Sequence, residues 1–239
     1  MAVHGREEAM PTRYYRLHGG RLTITECWCL ARSWGAFLKL FAWKPLGGYP
    51  FRFSIPRPDA LCRIDPDELP DGFRDRFLGF VAAVEKAGLG RVFVHQTELL
   101  ERSRVGAGAV LLDPTGTVIG TVGFSGTNRR PMAGGLTLTT HFADGTAGIT
   151  TTARRLYRPQ PHHLIHRHPS LAPAGLLERH RQYLACWERA GKFPRSFNAG
   201  DLPRVILEAQ QRYIDFYAAE GLFIPMTDEE VDRARGAAT

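Results

Sequence analysis

The sequence predicts an α+β fold: a predominantly antiparallel sheet meander flanked by helices, with a helical C-terminal extension. Three observations carry that reading. Five strand-like runs follow one another between residues 91 and 153 with short turns between them, and short connections between successive strands favour antiparallel pairing. Amphipathic helical patterns stand on either side of the series, at 71–90 and 174–192. Two more helical patterns close the chain after residue 200.

Taken in order, residues 1–20 read as an N-terminal tail, 21–190 as the α+β domain and 191–239 as the helical extension. In "RLTITECWCL" (21–30), Leu22 and Ile24 share one face with Trp28 while Thr23 and Thr25 share the other, which predicts a strand. That strand would put Cys27 and Cys29 on one face, a poor geometry for a mutual disulfide. In "ARSWGAFLKLFAWKP", Trp34, Phe37, Leu38 and Phe41 fall at i, i+3, i+4, i+7, one helical stripe that Pro45 and Gly47-Gly48 stop. "PFRFSIPRP" is a short extended piece. The helix at 71–90 has Phe73, Phe77, Phe80, Val81 and Val84 as its apolar face and Gly88 just past its end.

The strand-like runs are 91–99, 108–113, 117–124, 136–142 and 148–153. Asp113-Pro114-Thr115-Gly116 and Asp144-Gly145 have turn chemistry and mark two hairpins. The helix at 174–192 carries Leu176, Leu177, His180, Tyr183, Leu184 and Trp187 on one stripe, and Gly191 ends it. The next has Asp201 at its N-cap position and Val205, Ile206, Ala209, Tyr213, Phe216 and Tyr217 facing inward. Thr227 and Glu230 have capping-box spacing at the start of a last short helix.

Four scattered cysteines (Cys27, Cys29, Cys62, Cys186) form no C-x-x-C pair, which predicts reduced thiols and a cytoplasmic protein. The polar start predicts no signal peptide, and the lack of an 18-residue apolar run predicts no transmembrane helix. Charge is uneven. Residues 126–195 hold eleven arginines and lysines against three acids, a net +8 that leaves −1 for the rest of a chain of net +7. A local excess of this kind points to an acidic partner. The expected phosphate contacts are Arg129, Arg130, Arg154, Arg155, Arg158, Arg167, Arg179 and Arg181, for a nucleic acid or another polyanion, with Tyr157 and Tyr183 as stacking rings. No helix-turn-helix, RRM or zinc-finger signature accompanies them.

"PHHLIHRHP" (161–169) places His162, His163, His166 and His168 within seven positions. Its bracketing prolines favour an extended chain. Same-face residues then stand about 6.6 Å apart, too far for neighbours to share one metal without convergence, and Arg167 repels a cation. His163, His166 and His168 with His180 from the following helix would be the ligand set of a Zn²⁺-dependent enzyme. Otherwise the segment is an edge strand with no cofactor. The helix at 28–43, with Trp28, Trp34, Phe37, Leu38, Leu40, Phe41, Trp43 and the cations Arg32, Lys39 and Lys44, either packs on the sheet or lies on a membrane surface.

Catalytic motifs are thin. "GFSGT" around Ser125 is not a nucleophile elbow, "RVGAGAVLL" lacks the third glycine of a dinucleotide fingerprint, and Asp144 is committed to a turn. The pattern "LTLTTHFADGTAGITTT", followed by prolines and "GLLERHRQYL", resembles a group of uncharacterised bacterial proteins. In these a T-x-F-x-D-G hairpin and a second Thr-containing strand precede a leucine–histidine helix. The matching residues are Thr140, Phe142, Asp144, Gly145, Thr150, Thr151, Leu177 and His180, within a likeness over roughly residues 75–190. The group carries no assigned activity, and it has Asn after the second strand where this chain has Ala153-Arg154. The expected function is a non-enzymatic binding or regulatory module whose basic surface at 126–195 meets a polyanion or a protein partner. The alternatives are the metal-dependent enzyme and a peripheral membrane protein.

Overall fold

The computed structural model describes residues 13–31, 33–46, 54–97, 99–100, 104–127, 130–154 and 157–236. In chain order, β1 (Arg13–Leu17) leads through a tight turn into α1 (Ile24–Leu30) and α2 (Trp34–Trp43). β2 (Ser54–Arg57) and β3 (Cys62–Arg63) precede α3 (Asp71–Lys86). The meander is β4 (Gly90–Thr97), β5 (Arg104–Leu112), β6 (Ile119–Thr127), β7 (Arg130–His141) and β8 (Ala147–Thr151). β9 (His163–Arg167), α4 (Pro173–Arg189), α5 (Leu202–Ala219), β10 (Phe223–Pro225) and α6 (Asp228–Gly236) follow.

The fold is α+β, with the meander at its centre. Its large sheet has seven strands in the order β3-β4-β5-β6-β7-β8-β9. Every neighbouring pair is antiparallel except β8–β9, which runs parallel because the proline-rich connection carries the chain back along the sheet. The two expected turns form as their chemistry requires. Asp113 Oδ1 accepts from the amides of Thr117 and Val118, both at 2.8 Å, and Asp144 Oδ1 accepts from Thr146 N at 2.9 Å. Gly116 and Gly145 hold φ of 74° and 81° there, backbone that a side chain would strain.

Side-chain alternation divides the large sheet's contacts. Ala107, Ala109, Leu111, Val122, Leu136 and Leu138 pack under Phe73, Phe77, Val81 and Val84 of α3 and Leu176 and Leu177 of α4. On the opposite face Phe93, Val110 and Ile119 meet Leu202, Val205 and Ile206 of α5. The second half of α5 (Ile214, Tyr217) closes a separate core with Tyr15, Leu17, Leu22, Cys27, Leu40, Tyr157 and Phe223. That core belongs to a three-stranded sheet, β10-β1-β2.

Four expectations change. The aromatic helix expected over 28–43 is two helices, Ile24–Leu30 and Trp34–Trp43, the second with its own cap at Ser33. Residues 24–30 are a helix, not a strand. Thr23 and Glu26 make a full capping box, Thr23 Oγ1 accepting from Glu26 N and Glu26 Oε2 from Thr23 N, and this helix-start signal overrides the short alternation. Cys27 and Cys29 therefore leave the axis on different sides, one buried and one half-buried, both free thiols. Residues 13–17, placed in the N-terminal tail, form the middle strand of the small sheet. In α5 the inward position is Ile214, while Tyr213 is exposed.

Candidate functional site

β9 is an extended edge strand, as the prolines predicted, with all five residues half-buried. Its alternation sends His166 toward α4, where the imidazole stacks on the Tyr183 ring at 3.7 Å between centroids and 11° between planes. His168 Nε2 lies 3.1 Å from the Tyr183 hydroxyl. His180 is buried deeper, with Nδ1 at 2.8 Å from Thr150 Oγ1 and Nε2 at 3.0 Å from Thr140 Oγ1. Both of its ring nitrogens are thus committed, and neither is left for a metal. His163 points to the other face, near His141 and Arg212. The expected ligand set His163, His166, His168 and His180 does not converge. Among the described residues, no three His, Cys, Asp or Glu side chains are grouped to hold a metal ion. Burial lowers the proton affinity of His163 and His166. It pushes His180 down to about 4 against the opposing pull of Asp113, and His141 down to about 4 with neighbouring positive charge, Arg212 foremost, acting in the same direction.

The arginines are dispersed. Arg129 and Arg155 lie outside the described residues, and Arg130 falls on β7. Arg154 is exposed. Arg158 is neutralised: its backbone N–H and Nε donate to buried Glu26, and Nη1 reaches Glu220 at 3.3 Å. Arg167 lies on the face of β9 opposite His166. Arg179 and Arg181 stand on the solvent side of α4, where Arg179 donates to Gln182 at 3.0 Å. The described members of the predicted polyanion contacts thus sit on several elements. A net charge counted along the chain does not require a patch in space.

The aromatic segment is assembled. The capping box starts α1, and Ser33 Oγ caps α2 by accepting from Ala36 N at 3.2 Å. Cys27 and Leu40 anchor the two helices in the small-sheet core. Exposed on this helix pair are Ile24, Trp28, Trp34, Leu38, Phe41 and Trp43. Among the described residues eight large hydrophobic side chains are exposed, and these six are on this one hairpin, with Ile24, Trp34 and Leu38 at 61, 67 and 60%. The rings are in contact: Trp28 with Trp34 at 4.8 Å and with Phe37 at 5.4 Å, and Phe37 with Phe41 at 6.1 Å between centroids. The sole acid between residues 21 and 46, Glu26, is buried. Although burial alone would raise its proton affinity, hydrogen bonds from Thr23 and Arg158 and the Arg158 charge hold it below the usual carboxylate range. Negative charge is thus withdrawn from the platform, while Arg21 and Lys39 are exposed at its rim.

Compared with family models, curated proteins and solved structures, the chain shows no significant match.

Proposed function

We propose that this protein is a binding module that docks on a membrane surface through the α1–α2 platform. The observation that carries the reading is the set of six exposed apolar side chains on one hairpin. Contiguous exposed apolar surface of this kind marks an interaction site rather than ordinary surface scatter. Its composition favours a lipid interface. Indole and phenyl rings sit at the headgroup level, aliphatic tips reach the acyl boundary, and basic side chains at the rim favour anionic lipid. Among the described residues no helix is long and apolar enough to cross a membrane, so the reading is of a helix pair lying in the interface.

Vesicle flotation tests this. Trp34→Ser with Phe41→Ser is expected to reduce partition into mixed neutral and anionic vesicles by at least about tenfold, since each lost ring forfeits on the order of 1–3 kcal/mol of burial. Both side chains are exposed, so an unchanged circular dichroism melt is the folding control. Wild-type protein that stays in the aqueous fraction with every vesicle, or a double variant that floats as well as wild type, overturns the reading. Self-association lost in the same variant, without flotation, would assign the platform to a protein partner.

A further inference from the structure

The platform borders a cleft whose lining chemistry differs from its own. His18, Gly20, Arg21, Lys44 and Pro45 line a shallow, open cleft of about 490 Å3. The first three lie just before α1, and the last two directly follow α2, so the cleft opens at the foot of the aromatic hairpin. Among the described residues its lining holds two cations and an imidazole and no carboxylate. We propose that it holds the phosphate of an anionic lipid headgroup, an inference that rests on the docking reading above.

Four features fit that ligand. Lys44 Nζ donates to Gly20 O at 2.8 Å, which fixes the ammonium at the cleft wall and leaves two N–H donors. His18 lines the cleft wall, and among the described residues no acidic side chain holds its ring there. Arg21 supplies a guanidinium fork matched to phosphate oxygens, and its own carbonyl is pinned by Arg158 Nη2 at 3.1 Å. The nearest acids to that arginine brace, Glu26 and Glu220, are both bonded to Arg158. Gly20 permits the close approach on which the cleft depends. A Cβ there would meet His18 Cε1 at 2.9 Å and Lys44 O at 3.2 Å.

Geometry then sets the depth. An interfacial helix buries its apolar face roughly 5–10 Å into the boundary between headgroups and acyl chains. With Phe41 at that depth, the cleft that directly follows α2 lies toward the phosphates.

The test compares partition into three vesicle types. These are phosphatidylcholine alone, phosphatidylcholine with phosphatidic acid, and phosphatidylcholine with oleate at the same surface charge. Wild type is expected to favour phosphatidic acid over oleate by about tenfold, because equal surface charge cancels the diffuse attraction and leaves the charge-assisted hydrogen bonds to phosphate oxygens. Arg21→Gln with Lys44→Gln removes that advantage, so that phosphatidic acid and oleate vesicles bind the variant equally. Gly20→Ala, which keeps every charge, also removes it; a loss only in the charge variant overturns the cleft and leaves diffuse attraction. Equal wild-type affinity for both anionic surfaces overturns it as well. Calorimetric binding of inorganic phosphate without vesicle preference overturns the lipid source. If wild type ignores all three vesicles, the docking reading itself fails.

Discussion

His180 is a polar side chain made acceptable to a core by two distant threonines. It is fully buried on the apolar stripe of α4, and each ring nitrogen faces a hydroxyl, from Thr140 and Thr150. The neutral ring can serve both bonds; the charged ring would need desolvation without a counter-ion. Its folded proton affinity is accordingly depressed, from an ordinary value near 6.5 to about 4. The unfolded chain binds the proton first, so stability is complete above pH 6.5 and falls as pH drops through about 4. At most about 3 kcal/mol of acid-linked destabilisation belongs to this group, and His141 acts in the same direction. His180→Gln is expected to flatten the melting temperature between pH 6.5 and 4 while lowering it at neutral pH. An unaltered slope in a pH series of thermal melts would show that His180 carries none of it. The sequence shows which face of the helix this histidine occupies. It cannot show the partners, which lie 40 and 30 residues earlier and meet the ring only once β7 and β8 pair.

Elements with long periodic patterns were legible, and short ones were not. α3, α4 and the five-run meander follow from spacings repeated over several turns or strand pairs. The segment 21–30 satisfies both periods: Leu22 and Ile24 alternate, while Ile24 and Trp28 are one helical turn apart. The deciding signal was Thr23 with Glu26, a capping box that fixes the helix start. β9 was legible as an extended strand, but not its parallel partner, because alternation fixes which faces a strand presents and not which neighbour it meets. The junction of β8 and α4 shows how tight such placement is. A Cβ on Gly148 would come within 2.3 Å of the Trp187 ring, so only a glycine lets that indole lie against the strand. Gly148→Ala is expected to cost about 1–3 kcal/mol, as overpacking does. Denaturant titration measures it, and Trp187→Leu in the same background should recover part of the loss. A Gly148→Ala protein as stable as wild type would contradict the close contact.

At the scale of the whole molecule, the charge excess and the candidate surface fall in different places. The strongly basic segment carries its described arginines on several elements, while the exposed apolar platform comes from a different stretch, residues 24–43. Neither outcome is visible in a linear count, because each depends on which side chains the two sheets bury. α5 joins those sheets. Leu202, Val205 and Ile206 wall the large sheet, and Ile214 and Tyr217 wall the small one, within a single helix. The platform helices are anchored in the small-sheet core through Cys27 and Leu40, so their stability is tied through α5 to the meander. The expected consequence is one cooperative unfolding transition. Far-UV circular dichroism reports the whole fold. Tryptophan emission from a Trp187→Phe variant reports Trp28, Trp34 and Trp43, all on the hairpin. In urea the two signals from that variant should share one midpoint. Adding Val205→Ala, at the far end of α5 from the hairpin, should lower both by the same amount, reflecting about 1–2 kcal/mol of lost core packing. A hairpin signal that melts first, unmoved by Val205→Ala, would mean that the platform is an independently folding unit. Docking would then not position the large sheet against the surface.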